Sequence, residues 1–387
     1  MISKLNIGVI GGCGHVGLPL SLILAKKYKV TIIDPSKNKN LVLKKKSPFK
    51  DDGIEKYLNN KFVQNNLDYL DDLKYSKKKF DAIIITLGTP VDEWSNPIAE
   101  DLVNMSLECK KFLKKNGILI LRSTITPGLS QKISQILQNC HVFYCPERIV
   151  QGKSFIEMFN IPQIISCDKK SNNLKKKLKK IFYFSPSFLE VSFVEAELIK
   201  LFNNFYRYCS FSISNQMYLI SENYEVSFSK ILKIMKYNYP RAKDVPGAGL
   251  AAGPCLYKDT QQLASFFPGN FSIGNAAIQI NEKLADHICL KAIKIARSKK
   301  IIILGAAFKA NCDDFRSSLS FKILKNLKRL SNKEIILYDP LVNHPKVLKK
   351  VEFNLKKDFF ILATPHKIFK KFLYKIPKKQ ILDIWND

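Results

Sequence analysis

Short apolar runs, separated by amphipathic helical stretches, organise the first 150 positions of the chain. The runs show no polar alternation: they are Ile7–Ile10, Val30–Ile33, Ala82–Thr86, Ile118–Leu121 and His141–Tyr144. Strands that are apolar on both faces are typical of parallel sheets with helices on each side. This part of the chain therefore predicts an α/β domain with a parallel sheet.

The same alternation returns after about residue 295, beyond a long helical segment. Its apolar runs are Ile301–Leu304, Glu334–Tyr338, Phe359–Ala363 and Ile381–Ile384. Asp34-Pro35 and Asp339-Pro340 end corresponding runs in the two parts. The expected fold class is α/β, with two Rossmann-like, doubly wound parallel-sheet domains joined by a long central helix. The expected domains are residues 1–190, 191–294 and 295–387.

The helix between the two parts is predicted by apolar residues at spacings of three and four. They are Leu198, Leu201, Phe202, Phe205, Cys209, Ile213, Met217 and Ile220, which gives about seven turns. Aromatic residues on this helix, Phe205, Tyr208 and Phe211, fit either a dimer interface or an intramolecular core.

Composition narrows the class of protein. The 387 residues are 46% hydrophobic and 25% charged, as in soluble proteins with substantial cores. No apolar run of about 18 residues is present, so no membrane span is expected. The segment Met1–Ile10 leads into glycines without a cleavage site and predicts a buried strand rather than a signal peptide. The nine cysteines form no C-x-x-C pair, which favours a reducing, cytoplasmic location and no metal site.

The net charge of +30 permits a second class, a basic nucleic-acid-binding protein. The lysines, however, are spread along the whole chain in short clusters, and no nucleic-acid-binding motif accompanies them. Solvated helix faces are the simpler explanation. A positive surface would also attract a substrate that carries a diphosphate.

A dinucleotide fingerprint follows the first apolar run. Gly12, Gly14 and Gly17 form G-x-G-x-x-G between a predicted strand and a predicted helix, where the helix N-terminus can hold a pyrophosphate. Asp34 ends the next strand, where a carboxylate accepts hydrogen bonds from an adenosine ribose and repels a 2′-phosphate. The expected cofactor is therefore NAD. His15 and Val16, inside the fingerprint, are expected to line the same turn.

Two further strand ends point to the same crevice, because ligands bind at the carboxyl ends of strands in open α/β sheets. The segment Thr86–Asp92 follows one strand, and Thr89 within it is expected to contact the cofactor. Arg122-Ser123-Thr124 follows the next strand. Thr124 is expected near the nicotinamide or an ordered water.

The most informative segment runs from Pro246 to Asp259. Small residues lead to Pro254, which suits the first turn of a helix, so Cys255 is expected in that turn, where backbone N–H groups favour a thiolate. Lys258 and Asp259 follow at i+3 and i+4, on the same helix face. A thiol, an ammonium group and a carboxylate are thus expected to converge.

Three other groups have plausible chemistry. Lys200 and Asn204 are four residues apart on the central helix and can stabilise an oxyanion together. Glu147, after the His141–Tyr144 strand, can act as a general base for a water. Lys309 and Arg316 follow a strand end in the second half and can hold the phosphates of a second nucleotide.

These blocks resemble the UDP-glucose/GDP-mannose dehydrogenase family, in the right order and over nearly the whole chain. The similar segments are GGCGHVGLPL, GTPVDE, RSTITPG, CPERI, AELIKLFNN, GPCLYKD, AFKANCDDFR and DIWN. The resemblance implies an NAD-binding Rossmann domain, a helical dimerisation domain and a UDP-binding Rossmann-like domain. It also implies a homodimer, and a UDP-sugar substrate whose primary alcohol becomes a carboxylate for surface polysaccharide precursors.

The resemblance also assigns roles to individual residues. Cys255 would be the nucleophile that carries a thiohemiacetal and then a thioester. Asp259 and Lys200 would transfer the proton in the first oxidation, through a water near Thr124, and Lys200 and Asn204 would stabilise the oxyanion. Glu147 would activate the water that hydrolyses the thioester. Lys258 would contact the sugar or a phosphate, and Arg241 would reach the substrate of the neighbouring subunit.

One departure bears on the substrate. Where UDP-glucose enzymes usually show P-E-F-L-x-E, this chain has Pro146-Glu147-Arg148 with Gln151 in place of the second carboxylate. The P-E-R form is similar to the branch that acts on UDP-N-acetylhexosamines such as UDP-N-acetylmannosamine, and Arg148 is expected to contact the substrate. UDP-glucose 6-dehydrogenase activity, a two-electron hydroxyacid dehydrogenase and an inactive nucleotide-binding relative remain as alternatives.

Overall fold

The computed structural model describes residues 5–89, 99–266, 269, 271–297 and 300–385. Pro90 to Glu93 of the GTPVDE segment and Asn386 of the DIWN segment lie outside the described residues. The chain forms two units that divide between Phe202 and Asn203.

The first unit is built on an eight-stranded sheet. Its order is β3-β2-β1-β4-β5-β6-β7-β8, with β1 Asn6–Ile10, β2 Lys29–Ile33, β3 Leu67–Leu70, β4 Phe80–Ile85, β5 Leu113–Leu121, β6 His141–Tyr144, β7 Gln163–Cys167 and β8 Phe188–Glu190. The five predicted strands are all present. Neighbouring strands run parallel except β6 and β7, which are antiparallel; β7 is not one of the predicted strands.

Helices connect these strands and supply an apolar core on each face of the sheet. They are α1 Gly17–Leu24, α2 Asn38–Leu43, α3 Ile54–Leu58, α4 Lys61–Gln64, α5 Glu100–Phe112, α6 Leu129–Ile136, α7 Ser154–Asn160 and α8 Lys175–Ile181. Side chains of Ile7 and Val9 belong to one core, and those of Ile83 and Ile85 belong to the other. Because successive strand residues point to opposite faces, apolar runs without alternation fill both cores.

The second unit contains a four-stranded parallel sheet in the order β10-β9-β11-β12. Its strands are β9 Lys300–Leu304, β10 Glu334–Tyr338, β11 Phe359–Leu362 and β12 Ile381–Leu382. The helices beyond the long α9 Phe193–Asn223 are α10 Phe228–Lys236, α11 Leu256–Phe266, α12 Ser272–Ile295, α13 Leu319–Leu330 and α14 Lys370–Leu373. The predicted α/β class with two parallel sheets and a long central helix is confirmed.

Helix α9 is longer than the sequence pattern predicted and contains the division between the two units. Of its predicted aromatic stripe, Tyr208 is fully buried and Phe205 packs on Phe271 with ring centroids 5.0 Å apart. These side chains therefore belong to an intramolecular core. The large apolar side chains that α9 exposes are Val194, Phe202, Tyr206, Ile213 and Ile220.

A buried carboxylate joins α9 to α6 within the first unit. Glu197 is 0% exposed, and it accepts hydrogen bonds from the backbone N–H groups of Gly128, at 2.6 Å, and Ser130, at 2.8 Å. Burial raises the pKa of Glu197, against these hydrogen bonds. The carboxylate satisfies donors at the start of α6 that the helix itself cannot pair.

Asp339 organises the second unit in a similar way. Its buried carboxylate accepts hydrogen bonds from the N–H groups of Ala306, Ala307 and Leu341 and lies 2.9 Å from Nε2 of His366. Burial raises the pKa of Asp339, but the hydrogen bond and charge of His366 and the backbone N–H groups outweigh burial and lower it. Asp339 thus connects the ends of β9, β10 and β11.

Within the described ranges, no helix has the length and apolar character needed to cross a bilayer. The same ranges hold no group of three or more His, Cys, Asp or Glu side chains placed to bind a metal ion.

We predict that Asp339→Asn destabilises the protein by about 2 kcal/mol at pH 7, because an amide cannot accept all of the hydrogen bonds that the carboxylate takes. Since the folded-state pKa is lowered, this stabilisation is present above the ordinary Asp pKa of about 3.9 and is lost as pH falls through the folded value. The measurement is urea unfolding followed by circular dichroism at several pH values.

The matched control is Asp286→Asn, whose side chain is 46% exposed and faces Lys322 at 3.4 Å. An exposed ion pair contributes less than about 1 kcal/mol. Equal stability of Asp339→Asn and wild type at pH 7 would contradict the role given to Asp339.

Candidate active site

The turn after β1 leaves no room for a side chain at two of its three fingerprint glycines, Gly12 and Gly17. A Cβ at Gly17 would lie 2.2 Å from the carbonyl oxygen of Gly11 and 2.7 Å from Oγ1 of Thr86, and one at Gly12 would lie 2.9 Å from Ile32. At Gly14 the nearest atom would be 3.3 Å away. This close packing brings the start of α1 against the strand ends, as a bound pyrophosphate requires.

Asp34 lies at the end of β2, next to this turn. Its Oδ2 accepts a hydrogen bond from the Cys13 N–H at 2.8 Å, and its Oδ1 accepts one from Ser36 at 2.9 Å. Burial, and then the charge of Asp34, raise the pKa of the Cys13 thiol to about 12. Each carboxylate oxygen takes one backbone donor and keeps acceptor capacity for ribose hydroxyls. The residues present therefore fit the adenosine half of NAD.

The other predicted cofactor residues lie around the same strand ends. His15 packs on Phe49 with ring centroids 4.0 Å apart, and Val16 immediately precedes α1. Thr89 donates a hydrogen bond from Oγ1 to the backbone oxygen of Thr124 at 2.5 Å. The segments after β4 and β5 are thus tied together, as expected from the pairing of these strands.

Glu147 is held by a residue whose role the sequence did not reveal. The guanidinium of Arg122, 3% exposed, donates to Oε2 of Glu147 and to Oε1 of Gln163, the latter at 2.8 Å. The other carboxylate oxygen accepts N–H bonds from Arg148 and Ile149 at 2.7 and 3.0 Å. Glu147 is therefore fixed in place as a partner of Arg122.

Arg148 is half-buried, and its guanidinium donates to the backbone oxygen of Pro162. Burial lowers the pKa of Arg148, while the charge of Glu147 opposes that effect. Its backbone N–H also donates a hydrogen bond to Glu147, so Arg148 stabilises the conformation of the CPERI loop.

A second cluster joins α9 to α11 in the second unit. Nδ2 of Asn204 donates to Oδ2 of Asp259 at 2.5 Å, and both side chains are buried. Nζ of Lys258 lies 3.1 Å from Oδ1 of Asp259. This oxygen accepts no aligned hydrogen bond from the described residues. Asp259 therefore keeps an acceptor for a substrate hydroxyl or a water.

Cys255 is adjacent to this cluster. Helix α11 begins at Leu256, so the prediction that Cys255 lies within the first turn is wrong by one residue: it is the residue before the helix, and its carbonyl oxygen accepts the Asp259 N–H at 2.9 Å. All nine cysteines lie in the described part of the chain, and Cys255 is the exposed one among them. A thiol here faces solvent at the N-terminal end of α11, where the helix dipole favours the thiolate.

The loop that leads to Cys255, residues 246–254, is packed against its surroundings. Asn215, on α9, donates to the oxygen of Gly249 at 3.0 Å and accepts the Gly249 N–H at 2.8 Å. A Cβ at Gly249 would lie 2.1 Å from the Trp385 ring. The small residues of this loop therefore reflect close packing. The paired amide of Asn215 was not identified from the sequence.

Lys200 is half-buried on α9, one turn before Asn204 and three residues after Glu197. The structure places Lys309 after β9, where its backbone oxygen accepts from the Cys312 thiol at 3.2 Å. Arg241 is exposed, with its guanidinium 4.5 Å from the Tyr239 ring centroid.

The predicted residues thus form separate groups within each unit. The first unit groups the glycine turn with Asp34, Thr89 with Thr124, and Glu147 with Arg148. The second groups Asn204, Lys258 and Asp259 beside Cys255. Glu197, Arg122 and Asn215 position these groups and were missed, because their partners lie far away in sequence.

Comparison with known proteins connects these groups to one family. The NAD binding domain of the UDP-glucose/GDP-mannose dehydrogenase family matches residues 5–184, its central domain matches 194–283, and its UDP binding domain matches 302–386.

Relatives that align with nearly the whole chain carry names from the same family. UDP-glucose 6-dehydrogenase of Campylobacter jejuni is 30% identical over 381 residues, covering 91% of this chain and 93% of the relative. UDP-N-acetyl-D-mannosamine dehydrogenase of Pyrococcus horikoshii is 28% identical over 394 residues, covering 95% and 90%. The solved structure of UDP-glucose dehydrogenase from Pyrobaculum islandicum shares the fold, with a TM-score of 0.87, 19% identity and coverage of 99% and 94%. With these domains in this order, the chain belongs to the UDP-glucose/GDP-mannose dehydrogenase family of NAD-dependent oxidoreductases.

Proposed function

We propose that this protein oxidises the C6 alcohol of a UDP-N-acetylhexosamine to the carboxylate, with NAD as oxidant and Cys255 as covalent nucleophile. The observation that carries the proposal is the cluster beside Cys255: a buried Asp259 that Asn204 and Lys258 hold from two sides. A carboxylate with one oxygen that accepts no aligned hydrogen bond from the described residues, next to an exposed thiol at a helix start, suits proton removal followed by thiol addition.

The choice of an acetamido sugar has two supports. Relatives named UDP-N-acetyl-D-mannosamine dehydrogenase align with nearly the whole chain. Arg148 and Gln151 also depart from the pattern usual in UDP-glucose enzymes. A relative named UDP-glucose 6-dehydrogenase aligns equally well, so UDP-glucose is the second candidate.

The glycine turn and Asp34 would hold NAD, which would supply the hydride acceptor for each oxidation, so that two NAD would be consumed per sugar. Asp259 takes the proton of the C6 hydroxyl in the first oxidation, together with Lys200 and a water near Thr124. The Cys255 thiolate then adds to the aldehyde carbonyl and forms a thiohemiacetal, whose oxygen Lys200 and Asn204 stabilise. Covalent capture prevents escape of the aldehyde.

After the second oxidation Cys255 carries a thioester. Water attacks its carbonyl carbon, the C–S bond breaks, and the thiolate leaves as the carboxylate forms. Glu147 takes the proton of this water. The roles of Thr124, Lys200 and Glu147, all in the first unit, rest on the family motifs, as do those of Lys258, Lys309 and Arg316 toward the UDP-sugar and of Arg241 toward a neighbouring subunit.

We expect two NADH per sugar from an acetamido UDP-sugar, because both oxidations occur before the product leaves. The measurement compares UDP-N-acetylmannosamine, UDP-N-acetylglucosamine, UDP-N-acetylgalactosamine and UDP-glucose. Cys255→Ser should lose sustained four-electron turnover by at least about 1000-fold, while Cys209→Ser, a half-buried cysteine on α9, should retain it. Two NADH from UDP-glucose alone would overturn the substrate, and full activity of Cys255→Ser would overturn the nucleophile.

Asp34 is proposed to hold the adenosine ribose of NAD. We expect Asp34→Ser to lower kcat/KM for NAD about 30-fold, the loss of roughly 2 kcal/mol of hydrogen bonding. The ratio of kcat/KM for NAD to kcat/KM for NADP should fall as well, because the variant lacks the carboxylate that repels a 2′-phosphate. Asp52→Ser, at an exposed position, is the control. An unchanged NAD to NADP ratio would argue against this contact.

A homodimer is proposed from the surface of α9. Phe202, Tyr206, Ile213 and Ile220 are each about half exposed or more, and spacings of four and seven place them on one stripe. Sedimentation equilibrium should show a dimer for the wild type and a monomer for Tyr206→Glu/Ile213→Glu. Leu290→Glu, an exposed apolar position on α12, should stay dimeric. A wild type that sediments as a monomer would end this proposal.

A further inference from the structure

Two loops of the second unit meet at the nucleophile. The N–H of Gly253, two residues before Cys255, donates to the backbone oxygen of Ser317 at 3.3 Å. Gly253 has φ of +107°, and a Cβ there would lie 2.4 Å from the ring of Phe308. Phe308 and Ser317 belong to the segment between β9 and α13, which we call the 305–318 loop. The contact places this loop directly against the residues that precede Cys255.

Arg316 projects from this loop next to Ser317. Its Nε lies 3.0 and 3.1 Å from the two carboxylate oxygens of Asp314, and its Nη2 lies 2.6 Å from Oδ2. Asp314 itself is buried, so it fixes the plane of the guanidinium. The Nε and Nη2 groups form the edge of the guanidinium with which arginine usually binds a phosphate through two hydrogen bonds. Because Asp314 already takes it, phosphate binding alone does not account for the arrangement.

The electrostatics connect Arg316 with the nucleophile. Hydrogen bonds to Asp314 raise the pKa of Arg316 most, burial opposes them, and the charges of Asp314 and of an ionised Cys255 add to the rise. Such a charge interaction is mutual: if a thiolate stabilises the guanidinium, the guanidinium stabilises the thiolate equally. The N-terminus of α11 acts on the same thiol in the same direction.

We propose that Arg316, oriented by Asp314, stabilises the Cys255 thiolate and so sets the pH at which the nucleophile becomes active. The proposal deepens the proposed function and rests on Cys255 being the nucleophile of that reaction. It gives the 305–318 loop a part in the chemistry, besides nucleotide binding. Arg316 acts on the reacting sulfur by charge, from a position that Asp314 and the Gly253–Ser317 hydrogen bond determine.

The test is the pH dependence of Cys255 alkylation by iodoacetamide in the ligand-free full-length protein, quantified by mass spectrometry of the peptide that carries Cys255. For Arg316→Met we expect the alkylation midpoint to move up by about 0.5 pH unit, because the charge acts from a side chain that is 55% exposed and is partly screened by solvent. Arg316→Lys should restore part of this change. Arg329→Met, at an exposed position on α13, should leave the midpoint at the wild-type value.

Removing Arg316 alone leaves the buried carboxylate of Asp314 without its ion-pair partner, which could destabilise the fold. A second pair of variants removes this carboxylate charge from the comparison. Asp314→Asn/Arg316→Met is compared with Asp314→Asn, which keeps the arginine. The double variant should show the higher midpoint. An unchanged midpoint in both arginine-free variants, with a raised KM for UDP-sugar or NAD, would overturn the proposal and leave Arg316 as an anion-binding residue.

The two proposals fail separately. If Cys255→Ser keeps four-electron turnover, the covalent mechanism is wrong, whatever the alkylation profile shows. If Cys255→Ser is inactive but the midpoint does not depend on Arg316, the mechanism stands and the role of Arg316 is wrong.

Discussion

The place of the nucleophile depends on one close approach between backbone and aromatic ring. Gly253 has a positive φ and contacts Phe308 where any Cβ would overlap the ring. Its N–H is bound by Ser317, while Asn215 holds the same loop at Gly249. Cys255 follows two residues after Gly253, so its position is determined by packing within the second unit. The arrangement of Cys255, Asp259 and the 305–318 loop depends on this contact.

The sequence was sufficient for the fold class, because uninterrupted apolar runs and a glycine turn have few structural solutions. It also predicted that Cys255, Lys258 and Asp259 lie close together, because three and four residues separate them at the start of α11. Edge strands such as Leu67–Leu70 and Phe188–Glu190 were missed. They are short and partly exposed, and thus lack the apolar run that marked the central strands.

What the sequence could not provide is the set of side chains that position the site from a distance. Arg122 meets Glu147 because β5 and β6 are neighbours in the sheet. Glu197 meets the start of α6, and Asn215 meets Gly249, only after the chain has folded back on itself. These partners lie 25 or more positions apart. Local periodicity carries no information about such pairs, although each is buried and polar and so requires a partner.

Asp34 and Asp339 end equivalent strands, and their surroundings differ in one respect. Asp34 shares its carboxylate with two backbone N–H groups, whereas Asp339 is enclosed by three such groups and by His366. The second unit therefore uses the corresponding carboxylate as an internal hydrogen-bond acceptor. A redesign for a second dinucleotide would therefore have to begin by removing a histidine, before any glycine is introduced.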